Sequence, residues 1–175
     1  MKLSQLKDGD CPPYYKTYLD TLSPDTELHQ QLESQLENFP QFIASIPGDK
    51  WHYRYEAGKW TVAEVLVHVL DTERVFQYRA LRLGRKDPTP MAGFDQDAWV
   101  PNSRSHSHSP AEMIEEYRAI RTSTLLLFRY FEEADLSWKG TASGVPISLG
   151  ALGFIICGHQ KHHRNILRSR YLGRS

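Results

Sequence analysis

Cysteine is nearly absent: 175 residues hold two, Cys11 and Cys157. They form no CxxC pair and no disulfide framework. Charge of one sign is also missing, since 21 basic residues stand against 21 acidic ones. The basic surplus that neutralises nucleic-acid phosphates is therefore not there. No long hydrophobic run exists either. The longest, Leu149 to Cys157, is interrupted by Gly150 and Gly153 and falls far short of a bilayer span. The first residues, Met1-Lys2-Leu3-Ser4, show no apolar signal core. Repeats, low-complexity segments and the motifs GxSxG, HExxH and the Gly-rich phosphate loop are all missing. What is left is a chain of ordinary composition, 40% hydrophobic and 24% charged, read as one cytoplasmic domain over 1–175.

The pattern that is present is helical. Thr61-Val62-Ala63-Glu64 is a capping box, Thr at the N-cap and Glu three residues on, and no proline follows before Gly84. Ser109-Pro110-Ala111-Glu112 is a second box with proline at the favoured first position. Its stripe Met113, Tyr117, Ile120, Leu127 and Phe131 predicts a helix to about Glu133. A last helix is expected from Ser148 to Tyr171-Leu172. An earlier one, opened by Ser23-Pro24-Asp25, carries Leu28, Leu32, Leu36, Phe39, Ile43 and Ile46, and Pro40 predicts a kink or break in it. Four amphipathic helices with almost no strand pattern define an all-α, up-and-down style four-helix bundle. The connection from Arg85 to His108 is too long for a helix–helix turn, which marks it as a functional lid or as surface decoration.

Eight histidines carry the chemistry worth weighing. On a helical projection of the last helix, Leu152, Ile155, Ile156, Ile166 and Leu167 form one apolar arc. His159 and His163 fall inside that arc, and His162 just beyond its edge. Two buried imidazoles one turn apart are poor packing, since each neutral ring needs partners for two nitrogens. Their i, i+4 spacing is the one by which a helix offers two nitrogens to one ion. His68, on the edge of the Val62, Val65, Val69, Phe76, Leu83 face, is the candidate third ligand. Glu64 or Asp71 is positioned to orient its far nitrogen. Three histidines without a thiolate leave coordination positions open, as a working site requires. The alternative is that these are hydrogen-bonded core histidines. His106 and His108 read as a polar loop, and His29 and His52 show no partner pattern. Cys157, turned away from His159, reads as a core residue. Phe94-Asp95-Gln96-Asp97 is either a segment overhanging the histidines, with carboxylates for acid–base work, or a turn or short surface helix. Trp51, Trp60, Trp99 and Trp138 read as packing at the bundle ends.

The run Lys59 to Arg74, opened by Trp60-Thr61 and carrying His68, together with Gly158-His159-Gln160-Lys161-His162-His163-Arg164, resembles the DinB/YfiT-like superfamily. Gly93-Phe94-Asp95-Gln96-Asp97 and the ending Arg170-Tyr171-Leu172-Gly173 are similar too, and the resemblance places the bundle core at about 25–172. The resemblance implies a four-helix bundle, a divalent metal, nickel or zinc, on His68, His159 and His163, and a homodimer. It also implies either thiol-dependent transfer to an electrophilic small molecule or metal-dependent hydrolysis. Neither nucleic acid nor membrane is an expected partner, and no catalytic residue is assigned. The alternative is a metal- or ligand-binding bundle of the stress response that turns nothing over.

Overall fold

A computed structural model describes residues 1–173. Four long helices dominate it: α1 (Leu28–Ala44), α2 (Val62–Gly84), α3 (Pro110–Phe128) and α4 (Leu149–Ile166). Three of them start where the sequence places them. The Thr61 and Ser109 side chains each accept from the backbone N–H three residues on, with Glu64 and Glu112 reaching back, and Ser148 caps α4 through Ala151 N–H. The fourth differs. Ser23-Pro24-Asp25 does not cap α1, which begins at Leu28 with its N–H donating to the Met1 carbonyl. A stretch expected to lie outside the core thus closes the helix, as Lys2 bridges to Glu27.

Pro40 does not break α1. The helix runs through it, with Phe39, Phe42 and Ile43 buried on either side. A proline removes one N–H from the ladder, and tertiary packing of the flanking apolar residues holds the rest. α3 ends five residues before the expected Glu133. The chain turns so that the Phe131 ring sits where a side chain at Gly84 would be, and a separate turn, Glu133–Leu136, follows. A hairpin that the sequence reading missed joins α3 to α4: β1 (Lys139–Ala142) and β2 (Val145–Ser148) are antiparallel, with Ala142 opposite Val145. Its turn residues Ser143 and Gly144 both have positive φ, the tight two-residue turn that suits strand twist. Beyond Ile166, α4 widens into a π-helical turn, Leu167–Tyr171.

The core forms two clusters, one at each end of the bundle. Leu28 and Leu32 meet Phe76, Ala80, Leu83, Phe128 and the first half of α4 at one end. Phe39 and Ile43 meet the start of α2, Met113, Tyr117 and Leu167 at the other. The four long helices form the expected bundle, but their directions are up, down, down, up and not a plain alternation. α1 packs on α3 and α4, and so does α2, which leaves the sequence neighbours α1 and α2 diagonally opposed. The long connection now has a physical reason. α2 ends at the hairpin end while α3 begins at the far end, so the chain has to travel the bundle's length, about 28 Å for a 19-residue helix.

A buried polar network lies between the two clusters. Arg121 grips Glu73 through both oxygens (Nε–Oε1 2.7 Å, Nη2–Oε2 2.8 Å) and donates to Gln35 Oε1 at 2.7 Å. Thr124 Oγ1 donates to Glu73 at 2.9 Å, and Gln35 Nε2 donates to the Cys157 carbonyl at 2.9 Å. One chain of contacts therefore ties all four helices. Burial alone would push Arg121 toward its neutral form, but the Glu73 carboxylate outweighs it and holds the pKa above the ordinary arginine value. Glu73→Ala should therefore destabilise the protein by about 3–5 kcal/mol, because the guanidinium is left buried and unpaired. Removing both partners as Glu73→Leu with Arg121→Met should recover most of that loss. Urea unfolding of the native protein and of the two variants decides it. A Glu73→Ala variant as stable as the native protein would show the pair to be inert, and a double variant no more stable than the single one would show that the unpaired charge is not the cause.

Candidate metal centre

Antiparallel packing of α2 on α4 sets the site. The second turn of α2 faces the last two turns of α4, which brings residue 68 opposite residues 159 and 163. Among the described residues, His68, His159 and His163 form the one group of three able to share an ion, each offering a ring nitrogen within 4.8 Å of the others. His68 Nε2 and His159 Nε2 stand 3.0 Å apart, and the His163 ring centroid is 4.8 Å from that of His68 and 4.5 Å from that of His159. His68 and His159 are buried, and His163 is partly so.

The hydrogen bonding is incomplete in an informative way. Two ring nitrogens facing each other at 3.0 Å need a proton between them, so one donates and the other accepts. His163 Nε2 is buried with no partner at all. An orphaned imidazole nitrogen beside two that share one proton is an arrangement that a shared ion would satisfy. The donor set fits a divalent metal that accepts nitrogen ligands. Burial lowers the pKa of His68 to about 4. His159 and His163 are lowered well below the ordinary value, by burial first and by the neighbouring imidazoles second. All three rings are thus kept neutral at physiological pH, the form that ligates.

The residues around the cluster differ from expectation at the far nitrogen of His68. Glu64 is held in the Thr61 capping box at 2.6 Å, and Asp71 pairs with Arg74 at 3.3 Å. Thr72 Oγ1, at 3.4 Å, is the group beside His68 Nδ1 instead, one turn on along the same helix face. Trp60 lies 4.9 Å from the His68 ring, so it lines the site and does more than cover a bundle end. Tyr18 meets the edges of both His159 and His162, from a segment the sequence reading left outside the core. Gly158 permits this approach: a side chain there would collide with the Tyr18 carbonyl. His162 stays beyond the trio, against Tyr18. His106 and His52 are exposed, and His29 Nε2 lies 3.1 Å from the Phe128 carbonyl oxygen. Cys157 is wholly buried, and burial pushes its thiol up to about 12, as befits a core residue.

The long connection covers the cluster. Asp95 caps a single turn, Gln96–Trp99, by accepting from the Asp97 and Ala98 N–H groups. Phe94, Gln96 and Trp99 share a narrow cleft with His68, and Asp97 lines a second opening of about 270 Å³ that reaches His163. A larger pocket of about 600 Å³ adjoins them, walled by Tyr15, Thr72, Phe76, Phe94 and Ser143. Phe94–Asp97 is a short surface turn that also overhangs the histidines, and its Asp95 carboxylate is turned to its own backbone N–H groups and not to the rings.

Bundle and cluster together define a class: a four-helix protein with a three-histidine candidate metal site between two antiparallel helices. The DinB superfamily matches residues 31–167, and the chain belongs to that family. It is 24% identical over 147 residues to "Putative metal-dependent hydrolase OB0413" of Oceanobacillus iheyensis, covering 82% of this chain and 83% of that one. Among solved structures it is similar to YfiT from Bacillus subtilis, described as a probable metal-dependent hydrolase with an unusual four-helix bundle topology. The TM-score is 0.66 at 19% identity, with 98% of this chain and 94% of that chain covered, a likeness of fold. None of the described helices is long and apolar enough to cross a membrane.

The depressed histidines set the pH dependence of the metal-free protein. Their unfolded values lie near 6.5, so below that pH the unfolded chain binds protons that the folded one refuses. Stability from these groups is present above about 6.5 and falls as acid is added down through about 4. Urea midpoints of chelator-treated protein between those limits should drop steadily. A flat profile would mean that the rings are not held neutral by burial.

Proposed function

We propose that this protein is a metal-dependent enzyme that activates a small thiol, or water, against an electrophilic small molecule. The observation that carries the reading is the convergence of His68, His159 and His163, with one buried nitrogen lacking any partner. These three side chains would hold nickel or zinc. A divalent ion on neutral imidazoles lowers the pKa of a bound thiol or water so that the nucleophile forms near neutral pH.

The chain's own residues do the rest. Burial keeps the three rings unprotonated, and Thr72 sits where it fixes the orientation of His68. Trp60, Tyr18 and Phe76 wall the rings off from bulk water, and the Phe94–Trp99 segment closes the outer side. No carboxylate hydrogen-bonds the three rings among the described residues, so a proton released by the nucleophile leaves through solvent or substrate. The names of the relatives favour hydrolysis, and the resemblance of the sequence favours thiol transfer. The same site serves both.

A cytoplasmic setting and a homodimer complete the proposal, with no nucleic acid or membrane as partner. The dimer rests on the family resemblance alone: Ala63 and Val67, apolar residues opposite Val65 and Val69 whose pattern in the sequence suits an exposed dimer face, are buried within the chain itself and leave no such face there.

Elemental analysis should find about one nickel or zinc per chain. His159→Ala and His163→Ala should empty the site, and His162→Ala should leave it filled. Thiol-dependent consumption of monochlorobimane, lost in His68→Ala, marks the transferase. Turnover of esters or amides by metal-loaded protein without thiol marks the hydrolase. Tight metal binding with no turnover on either panel would leave a binding protein and overturn the enzymatic reading.

A further inference from the structure

Two arginines are almost completely buried, and only one has a counter-charge. Arg121 is clasped by Glu73. Arg79, 1% exposed, has no carboxylate within 4.0 Å among the described residues. Its Nη2 donates to the Ala92 carbonyl at 2.8 Å and to Ser143 Oγ at 2.9 Å, and its guanidinium carbon lies 5.8 Å from the ring centres of both Phe76 and Phe94. Neutral acceptors and aromatic faces soften a buried charge without cancelling it. Tyr15 does not cancel it either: burial raises its pKa against the pull of Arg79, so the phenol stays protonated.

Ser143, Phe76, Phe94 and Tyr15 are also walls of the 600 Å³ pocket, so the unpaired cation sits directly behind its lining. We propose that this pocket binds a small molecule with an apolar body and a terminal carboxylate, and that the carboxylate supplies the charge Arg79 lacks. The inference deepens the proposed function by naming its substrate class, and rests on that reading for the placement of the reacting end.

The walls agree with such a ligand. Pro12, Pro13, Tyr14 and Val145 add apolar surface, and the volume is that of a small-molecule site. Asp95, the carboxylate on the rim, is exposed and turned to its own backbone N–H groups. Asp10, nearby in sequence to Pro12, is held by Lys139 at 2.8 Å. Neither competes for Arg79. At the inner end of the pocket, Thr72 stands against His68 and the Phe76 ring lies 6.0 Å from that of His159. One phenyl ring thus separates the cation from the histidines. A ligand anchored by its carboxylate at the Ser143 end would extend its other end toward the cluster.

Calorimetric titration of chelator-treated protein with 4-phenylbutyrate and with its neutral amide tests this without any turnover. The acid should bind about tenfold more tightly than the amide or better, the worth of the attraction between its carboxylate and a cation just behind the apolar wall. Arg79→Met should erase that preference, and Arg79→Lys should keep part of it. If the methionine variant fails to fold, the lysine variant and the acid-to-amide ratio of the native protein still decide. Equal affinities, no acid binding at millimolar concentration, or a ratio unchanged in both variants would overturn the proposal. Because the protein is metal-free, a failed metal analysis leaves this result standing, and a failed acid preference leaves the metal result standing.

Discussion

The bidentate contact between Arg121 and Glu73 stands at the centre of the molecule, and the two apolar clusters are organised around it. A hydrophobic stripe tolerates sliding and rotation, because apolar contact is non-directional. A forked guanidinium on a carboxylate tolerates neither. With Gln35 as the next link and the Cys157 carbonyl as the last, the pair fixes the axial and rotational setting of all four helices. The histidines depend on that setting. A rotation of α4 by one residue, about 100°, would swing His159 away from His68 and present a different side chain to α2.

Direction matters as much as register. Because α2 and α4 run antiparallel, one turn of α2 meets two turns of α4, and three imidazoles converge from two helices. Because α2 and α3 run parallel, the chain between them has to climb the outside of the bundle. That climb carries Phe94, Gln96 and Trp99 across the mouth of the cluster. The lid over the site and the odd order of the helices are thus one topological fact. The hairpin adds the last wall, its turn placing Ser143 against Arg79.

Much of this was legible in the sequence, and the reasons for the rest are specific. Capping boxes at Thr61 and Ser109 gave the helix starts because their chemistry is local. Helical phase chose His159 and His163 over His162, and the structure brings the chosen pair to His68. The direction of the helices was not legible, since an amphipathic stripe is the same whichever way the helix runs. Pro40 misled because packing on both sides of it holds the helix together. The hairpin hid in a short stretch, Lys139 to Ser148, where Pro146 and two glycines mask the alternation. Glu64 and Asp71 share the face of His68, but each is claimed by a nearer partner, Thr61 or Arg74. Arg121 and Glu73 carried a signal that was overlooked: each falls inside an apolar stripe, where a charged residue needs a mate.

The up, down, down, up order also bears on how the chain reaches its folded form. No two consecutive long helices make a close antiparallel hairpin, and the first two, α1 and α2, bury no stripe against each other. α1 waits for α3, and α2 finds its antiparallel partner only in α4. Folding therefore draws on contacts distant in sequence, and a bundle so wired should assemble more slowly than one of plain alternation. His68 and His159 are 91 positions apart, so the trio exists only once the last helix has docked. A chain caught half-assembled offers an ion the two imidazoles of α4 and no third.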